Sequence, residues 1–468
     1  MKLLLFGTGD YYNRYKKWFV HQEILALLDN SKQKQYTDID GIRVLPPEEG
    51  VKLPYDVVVI LSFYAKAMKQ QLINLGVAQS NIYHFFDLRR LFAQNITEMF
   101  KHYSKQYFPS VEENEVCEKT LGRILLMSQD LTLGGPAIAL FHTAIVLRNK
   151  GYDVVFASMI DGPLREKLTE SGIPVIVDVR LQIAVMREID WINTFSLIVC
   201  NTLNFYLFLS ERNMEIPIIW WLHDARFFYD GVDREIMKKI CLRNLKAVSV
   251  GPVPTQAIKE FIPTIECDEL LYGVTDLKKE VKIQKIDKIT RFITIGFLEE
   301  RKGQDILLRA IHKLPDTIKN SSEFFLVGHN KTLLGEKICR ESEENDKIII
   351  TGSVDREKIH ELLRLADVFI CPSRQDPMPT VVAEAMMHAV PCIVSDVVGT
   401  TAYIHDEEDG LVFSCENECE LAEKIQWCVD NKDKLQCMGE KARKLYEKYF
   451  SMSAFEKRLL EIIQDAIK

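Results

Sequence analysis

The sequence contains two carboxylates that could act on one ligand, Asp376 and Glu384, in the stretch "CPSRQDPMPTVVAEAMMHAVPCIVSD". Pro379 suits the first turn of a helix, so we expect Asp376 in the loop before that helix and Glu384 inside it. At about 1.5 Å of rise per residue the two acids would lie on the order of 10 Å apart, beyond the roughly 6.5–9.5 Å of an inverting hydrolase pair. The spacing favours contacts with two ends of one long ligand. The alternatives are an ion pair within the helix for Glu384 and a turn-forming role for Asp376.

A pair of cations precedes another expected helix. Arg301 and Lys302 stand just before Gly303 in "GFLEERKGQDILLRA". A fixed cation beside a helix N-terminus suits a diphosphate, because its charge is neutralised by donors that need no reorganisation. A solvated basic turn is the alternative.

A glycine pair lies in a similar position earlier in the chain. Gly134 and Gly135 follow the strand-like "RILLMSQ" and precede an expected helix that begins near Pro136. Glycines there allow a ligand to approach the backbone N–H groups and the positive end of the helix dipole. The alternative is a simple turn from strand to helix.

Short β-branched runs alternate with amphipathic helical stretches in three successive blocks, a pattern typical of parallel sheets covered by helices. We expect an N-terminal Rossmann-like domain over 1–108, an acidic linker over 109–120, a second domain over 121–288 and a third over 289–468, with the last helix crossing back. The fold class is therefore α/β, with the last two doubly wound domains facing a cleft. Ligands of such sheets bind outside the carboxyl ends of the strands.

The two acids, the cation pair and the glycine pair all lie in segments that follow strands, so we expect them in that cleft. A ligand that suits them carries hydroxyls at both ends, and the acids accept hydrogen bonds from these hydroxyls. It also carries a diphosphate in the middle, over the helix amides and Lys302. A nucleotide sugar has this layout.

Composition excludes several classes of protein. The chain has 468 residues, 47% of them hydrophobic and 27% charged, which predicts a globular protein of two or three domains. A net charge of -8 argues against nucleic acid as a partner. The apolar run at the N-terminus ends at Gly7, and no membrane-spanning stretch follows, which predicts a cytoplasmic protein. Eleven cysteines without a CxxC pair predict neither a disulfide framework nor a metal site, and no cofactor is expected.

From about residue 121 to residue 468 the sequence resembles the retaining glycosyltransferases of family four, which have the GT-B fold. The family's E-x7-E element resembles Asp376 to Glu384, its KG resembles Lys302 and Gly303, and its acceptor-side glycine loop resembles Gly134 to Pro136. A histidine that ends a strand of the family's first domain resembles His223 in "IIWWLHDARFF".

The resemblance implies a role for each matching position. Glu384 would hold the ribose and Lys302 the diphosphate, while Asp376 would contact hydroxyls of the donor sugar. His223 would lie near the transferring sugar carbon, so His223 and Asp376 are the expected catalytic residues. Expected donor-binding residues also include Gly134, Gly135, Arg301 and the backbone of Met378, Pro379, Thr380 and Val381. The family retains the anomeric configuration without a bound metal.

The sequence departs from the family in places. Phe297 stands where the family commonly has an arginine on the diphosphate, so Arg301 would have to replace that cation. The first acid is the shorter Asp376. These departures favour an altered donor preference, and a catalytically degenerate nucleotide-sugar-binding protein is the alternative.

The first block begins like a dinucleotide fingerprint, "FGTGDYYNRY", with Asp29 at the end of the second strand. Tyr12 occupies the place of the third glycine, where close packing of helix on strand favours the smallest residue. The block also resembles the nucleotide-sugar-binding domain of sugar O-acyltransferases. Ligand binding, a scaffold role and an NAD-dependent oxidoreductase therefore remain as alternatives for this block.

The expected activity is transfer of a sugar from a nucleoside diphosphate sugar, most simply a UDP-sugar, to a glycan, lipid-linked or protein acceptor in polysaccharide or glycoconjugate synthesis.

Arginines, lysines and aromatic residues alternate at helical spacing in "DLRRLFAQNITEMFKHYSKQYF". Such a segment could contact the inner face of a membrane. The alternative is a helix that packs the first block on the second.

Overall fold

The computed structural model describes residues 1–102, 105–109, 120–277, 289–330, 332–342 and 345–468. Most of the expected linker, 109–120, lies outside the described residues. Three sheets follow one another along the chain, and helices accompany each of them. Among the described residues, no helix is both long and apolar enough to cross a bilayer.

The first sheet has six strands in the order β3-β4-β2-β1-β5-β6. Leu3, Leu4 and Leu5 are buried, as expected for a strand covered on both faces. The strands are parallel except that β3 runs antiparallel to β4. The strands are β1 Lys2–Phe6, β2 Glu23–Leu28, β3 Asp38–Ile39, β4 Ile42–Leu45, β5 Val57–Ile60 and β6 Ile82–His84, and the helices are α1 Asp10–Tyr15, α2 Pro47–Gly50, α3 Ala65–Asn74, α4 Leu88–Leu91 and α5 Ile96–His102.

The second sheet has eight strands in the order β14-β13-β12-β11-β8-β9-β10-β7. Its edge strand β7 comes from the end of the first sequence block and pairs antiparallel with β10. The strands are β7 Gln106–Phe108, β8 Arg123–Ser128, β9 Asp153–Ser158, β10 Val175–Val177, β11 Leu197–Asn201, β12 Ile218–Leu222, β13 Leu245–Ser249 and β14 Cys267–Glu269, and the helices are α6 Gly135–Asn149, α7 Leu164–Glu170, α8 Tyr206–Ser210, α9 Arg234–Met237 and α10 Pro252–Lys259.

The third sheet has six parallel strands in the order β17-β16-β15-β18-β19-β20, the doubly wound order. The strands are β15 Thr290–Ile295, β16 Ser322–Val327, β17 Ile348–Gly352, β18 Val368–Cys371, β19 Cys392–Ser395 and β20 Leu411–Phe413. The helices are α11 Gln304–Lys313, α12 Asp316–Asn320, α13 Leu333–Ser342, α14 Arg356–Leu365, α15 Thr380–Met387, α16 Glu418–Asp430, α17 Lys432–Leu445 and α18 Met452–Ile467.

The chain forms two compact units. The first comprises 1–220, 226–247 and 257–266, and the second comprises 221–225, 248–256 and 267–468. The second unit therefore contains the third sheet together with the carboxyl ends of β12 and β13. Within it, the ring of Phe455 on α18 stacks on Trp221, 6.0 Å between centroids. The strands that the sequence predicts are present, and the α/β fold class is confirmed.

Candidate functional site

Two loops meet where the strand order of the third sheet reverses, between β15 and β18. The loop of residues 296–303 follows β15 and the loop of residues 372–379 follows β18. The backbone N–H of Arg374 donates to the carbonyl of Arg301 at 2.8 Å, so the loops are in contact. A reversal of strand order in an open α/β sheet leaves a crevice at the carboxyl ends of the strands, which is where ligands bind.

Two glycines allow the backbone to approach closely here. Gly303 has a φ of +69°, and a Cβ on it would lie 2.0 Å from the carbonyl oxygen of Pro372. A Cβ on Gly399 would lie 1.7 Å from the carbonyl oxygen of Pro377. Any larger residue at either position would push the loop of residues 372–379 away.

Arg374 ties the same loops together through its side chain. Its guanidinium donates to both carboxylate oxygens of Asp305 at 2.8 and 2.7 Å and to the carbonyl of Glu300 at 2.5 Å. Hydrogen bonding to Asp305 raises the pKa of Arg374. A planar guanidinium held at two points fixes direction as well as distance. The loop that carries Lys302 is thus anchored to the loop that carries Asp376.

Lys302 and Asp376 form one ion pair. The Nζ of Lys302 lies 2.5 Å from Oδ2 of Asp376, whose side chain is only 9% exposed. The sequence predicted separate contacts for them, with the diphosphate and with the donor sugar, and the structure brings their charged ends together. The pair holds the lysine ammonium in place at the end of the sheet, although the carboxylate neutralises part of its charge.

Arg301 is the second cation here. Its guanidinium donates to the carbonyl of Gln375 at 3.1 Å and to Oε1 of Glu299 at 2.9 Å, and lies 3.8 Å from Asp376. Phe297, the residue that departs from the family pattern, is 61% exposed. Arg301 therefore lies beside Lys302 and Asp376, and its role on the diphosphate stays a prediction.

Helix α15 begins at Thr380. Pro379 occupies the N-cap position with an extended ψ of 114°, one position before the expected first turn, and no side chain caps the helix. The first amides of a helix have no acceptor within it and are directed out of its N-terminal end, where proline has no N–H to lose. Met378 is buried, and its Cε lies 2.8 Å from the place a Cβ on Gly251 would take. The backbone of residues 378–381 thus runs from the end of the loop that carries Asp376 into the first turn of α15.

Glu384 lies inside α15 with its side chain 2% exposed. Its Oε1 accepts a hydrogen bond from Nη2 of Arg356 at 2.5 Å. Its Oε2 is buried, and within the described parts of the chain it has no hydrogen-bond partner. A buried carboxylate oxygen without a donor is costly, and this oxygen keeps the capacity to accept one more hydrogen bond.

The sequence interpretation missed Arg356, which is the first residue of α14. A cation in the first turn of a helix opposes the helix dipole, and that is the signal that could have indicated a partner elsewhere. The two acids of the opening segment pair with different bases, Asp376 with Lys302 and Glu384 with Arg356.

His223 follows β12 and lies in the second compact unit, as do Lys302 and Asp376. Its Nδ1 lies 2.6 Å from the hydroxyl of Tyr272, and the two rings stack. Burial lowers the pKa of His223 to about 3, so the imidazole is neutral near pH 7. Burial also raises the pKa of Tyr272 well above its usual value, and the nearby charges of Asp224 and Asp376 add to that shift. Tyr272, which the sequence interpretation missed, is thus the hydrogen-bond partner of His223.

This shift predicts an acid-sensitive fold. Unfolded His223 takes up a proton below its ordinary pKa of about 6.5, whereas folded His223 stays neutral down to about 3, so stability falls as the pH falls through 6.5. Between pH 7.5 and 5.5 the wild type should lose about 1.4 kcal/mol more of its unfolding free energy than the His223→Asn variant.

Urea unfolding followed by tryptophan fluorescence measures this difference, because the Trp221 ring lies 4.7 Å from the His223 ring. A His312→Asn variant, which alters an exposed histidine, is the control and should behave as the wild type. Equal pH dependence of wild type and His223→Asn would contradict the assigned neutral state.

Gly134 and Gly135 belong to the first compact unit, whereas the residues described above belong to the second. Gly134 is the N-cap of α6 and Gly135 its first residue, so the expected start of this helix near Pro136 is confirmed. A Cβ on Gly135 would have no neighbour within 4 Å. We call residues 129–135 the glycine loop. It follows β8, at the point where β8 and β11 reverse the strand order of the second sheet.

The first sheet has a corresponding cavity of about 240 Å³ after β1 and β5. Asp29, a lining residue, accepts hydrogen bonds from the backbone N–H and hydroxyl of Thr8 and from the N–H of Ser31. Tyr12, in place of the third glycine, is buried and donates to Asp40 at 3.0 Å. The Asp29 carboxylate thus already accepts hydrogen bonds from the protein. The ribose of a dinucleotide would have to compete with those donors.

The segment considered for membrane contact packs within the first unit. Arg89 donates to both carboxylate oxygens of Glu188 at 2.7 and 2.8 Å. Ile96, Met99 and Phe100 pack against the core of the first sheet. These contacts favour the alternative in which the segment packs the first block on the second, and membrane contact stays a prediction.

Comparisons with known proteins identify the family of this chain. A model described as "Glycosyl transferases group 1" matches residues 276–445, one described as "Glycosyl-transferase family 4" matches 121–249, and one described as "C2185-like, N-terminal" matches 1–83. The putative glycosyltransferase YtcC of Bacillus subtilis is 30% identical over 354 residues, 68% of this chain and 84% of that protein. Spore coat protein SA of the same bacterium is 25% identical over 369 residues, 70% of this chain and 95% of that protein.

The crystal structure of Anabaena HepE in complex with UDP aligns with a TM-score of 0.64 at 18% identity, over 73% of this chain and 100% of that one. The strand orders of the second and third sheets and this likeness define a GT-B protein with an additional N-terminal Rossmann-like domain. The chain belongs to the group 1, family-4 glycosyltransferases. The resemblance of the first domain to sugar O-acyltransferases stays a prediction.

Proposed function

We propose that this glycosyltransferase moves a sugar from a UDP-sugar to a glycan, lipid-linked or protein acceptor with retention of configuration and without a metal. The observation that supports this most is the buried Oε2 of Glu384, which lacks a donor among the described residues, in the helix that follows the loop of Asp376. A ribose hydroxyl would donate to it. The HepE structure holds UDP, and its likeness in fold makes UDP the first nucleotide to test.

The proposed roles follow the charges of the site. Lys302 and Arg301 would share the diphosphate with the amides of residues 378–381, while Asp376 would accept hydrogen bonds from the sugar. Because the ion pair with Asp376 holds the Lys302 ammonium in place, little reorganisation is needed when charge develops on the departing phosphate. Neutral His223 would accept or donate a hydrogen bond near the transferring carbon, and it would not supply a positive charge.

The proposed reaction has one bond made and one broken at the anomeric carbon. The acceptor oxygen bonds to that carbon on the face from which the phosphate leaves, and the carbon–oxygen bond to the phosphate breaks. The acceptor proton passes to the departing phosphate oxygen. NMR of the product tests retention, because an α-configured donor should give an α-linked product, and a β-linked product would contradict the proposal.

Donor identity is tested by titration. UDP should raise the melting temperature of the protein at concentrations where ADP and GDP do not, and UDP-glucose, UDP-galactose and UDP-N-acetylglucosamine are then compared for stabilisation and for release of UDP. Stabilisation by UDP without release of UDP from any sugar donor would support the alternative of a catalytically degenerate binding protein. Stabilisation by NAD would instead support the oxidoreductase alternative.

Chelators are expected to leave turnover largely intact. Over the described parts of the chain, no group of three or more histidine, cysteine or acidic side chains could hold a metal ion. The two site acids are already paired with Lys302 and Arg356. Turnover measured with and without EDTA checks this, and a complete loss that Mg²⁺ or Mn²⁺ reverses would contradict metal independence.

A further inference from the structure

An ion pair joins the first domain to the glycine loop. Arg14 lies in the last turn of α1, and its Nη1 donates to Oδ2 of Asp130 at 2.7 Å. The two side chains are 25% and 4% exposed. Asp130 belongs to the glycine loop, and both residues belong to the first compact unit. The first domain therefore supplies a cation to a loop of the second sheet.

Asp130 organises the base of that loop. Its Oδ1 accepts hydrogen bonds from the backbone N–H of Thr132 at 3.1 Å and from the Thr132 hydroxyl at 2.6 Å. Its own carbonyl accepts a hydrogen bond from the Ser128 hydroxyl at 2.7 Å. Thr132 in turn lies beside the cap of α6, because a Cβ on Gly134 would be 3.3 Å from its hydroxyl. The position of Asp130 thus fixes the approach to Gly134.

A carboxylate this deeply buried needs a counter-charge. In the described ranges of the chain, Arg14 is the one basic side chain within ion-pair distance of Asp130. Arg14 is itself held in place, because its guanidinium lies 5.3 Å from the ring centroid of Tyr11, and Tyr11 stacks on Phe85. The cation is therefore part of the packed first domain.

We propose that Arg14 is a positioning residue for the glycine loop, and that the first domain is thereby part of the machinery for sugar transfer. The positioning of the glycine loop by Arg14 rests on geometry alone, whereas the consequence for sugar transfer rests on the proposed function. The nucleotide contacts proposed above, through Lys302, Arg301 and Glu384, do not involve Arg14. Gly134 and Gly135, expected to bind the donor, would then contact its sugar and not its nucleotide. Loss of the arginine should therefore release the glycine loop and slow turnover without weakening the binding of UDP.

The test compares Arg14→Ala with Arg89→Ala in the full chain. Arg89 is the matched control, because it also joins the first domain to the second block of the chain, through Glu188 and the carbonyl of Ile183 in the segment between β10 and β11. Hydrogen exchange of the peptide that covers the glycine loop should quicken on the order of tenfold in Arg14→Ala and stay as in the wild type in Arg89→Ala. Unchanged exchange, or an equal rise in both variants, would overturn the proposal.

Turnover of the nucleotide sugar that the wild type accepts best, measured as UDP release, should fall about tenfold in Arg14→Ala, with the affinity for UDP unchanged. Equal turnover of Arg14→Ala and Arg89→Ala would overturn the catalytic consequence. If the wild type neither binds UDP nor releases it from a donor, the proposed function fails, while the exchange measurement still decides the role of Arg14.

Two further variants guard against misfolding. Asp130→Asn keeps an oxygen for Thr132 but removes the charge that Arg14 pairs with, so it should reproduce the faster exchange and slower turnover of Arg14→Ala. Arg14→Lys keeps the charge and should recover part of both properties, less than fully because lysine lacks the fixed fork of donors. Wild-type exchange in Asp130→Asn, or no recovery in Arg14→Lys, would contradict an ionic role.

Discussion

Replacement of Lys302 by alanine is expected to weaken the binding of UDP by roughly 10- to 150-fold, the equivalent of about 1.5–3 kcal/mol for a charge-assisted hydrogen bond. The weaker binding has two physical causes. The variant lacks the cation proposed for the diphosphate, and it leaves Asp376, only 9% exposed, without the ammonium that lies 2.5 Å from it. Asp376 then keeps only Arg301, 3.8 Å away, and its less compensated charge beside a diphosphate adds repulsion to the lost attraction. Isothermal titration with UDP measures the change.

Lys313→Ala is the matched control. Lys313 is in the last turn of α11, the helix that begins just after Lys302, and lies 3.9 Å from Glu418. Its removal should leave UDP affinity unchanged. The double variant Lys302→Ala with Asp376→Asn should bind UDP more tightly than Lys302→Ala alone, because the carboxylate charge that lost its ammonium partner is gone. Wild-type affinity in Lys302→Ala would remove Lys302 from the nucleotide site.

The strands and the positions of the site loops could be predicted from the sequence because both depend on local signals. Runs such as those of β15 and β18 are short, apolar and bounded by glycine, proline or charge, and Pro379 marks the start of α15. In a doubly wound sheet, residues that follow adjacent strands must meet at one edge. Lys302 and Asp376 therefore had to lie close together, although nothing in their spacing predicted that they would form one ion pair.

Partners that are distant in sequence could not be predicted in the same way. Arg356 reaches Glu384 from α14, Tyr272 reaches His223 from the segment after β14, and Arg14 reaches Asp130 across 116 residues. Each of these contacts depends on the packing of two elements, and periodicity along the chain does not specify which side chains face each other. The edge strand β7 was missed for a related reason, because its three residues acquire strand geometry by pairing with β10.

The two acids Asp376 and Glu384 are expected to respond differently to loss of charge. Glu384→Gln should weaken both UDP and the UDP-sugar by about tenfold, because the ribose is common to both ligands and a charge-assisted hydrogen bond becomes a neutral one. The buried Oε2 of Glu384 is the atom concerned, since Oε1 already accepts from Arg356.

Asp376→Asn should leave UDP affinity unchanged or slightly tighter, because UDP lacks the sugar and the substitution frees Lys302 from its carboxylate partner. Turnover should nevertheless fall by about 100-fold, since the contact with the sugar and the fixed position of Lys302 act mainly in the transition state. Titration of UDP followed by assays of UDP release from the donor separates affinity from turnover for each variant.

Glu323→Gln controls for the loss of a carboxylate in the same sheet. Glu323 lies near the amino end of β16, at the edge of the sheet opposite to the site, and pairs with Arg291 at 3.1 Å. It should change neither UDP affinity nor turnover. Equal weakening of UDP by Glu384→Gln and Asp376→Asn, or wild-type behaviour of both, would make the two acids structural. A loss of UDP affinity confined to Glu384→Gln, with a loss of turnover at unchanged UDP affinity in Asp376→Asn, would place the ribose and the sugar at opposite ends of the segment where the two acids stand.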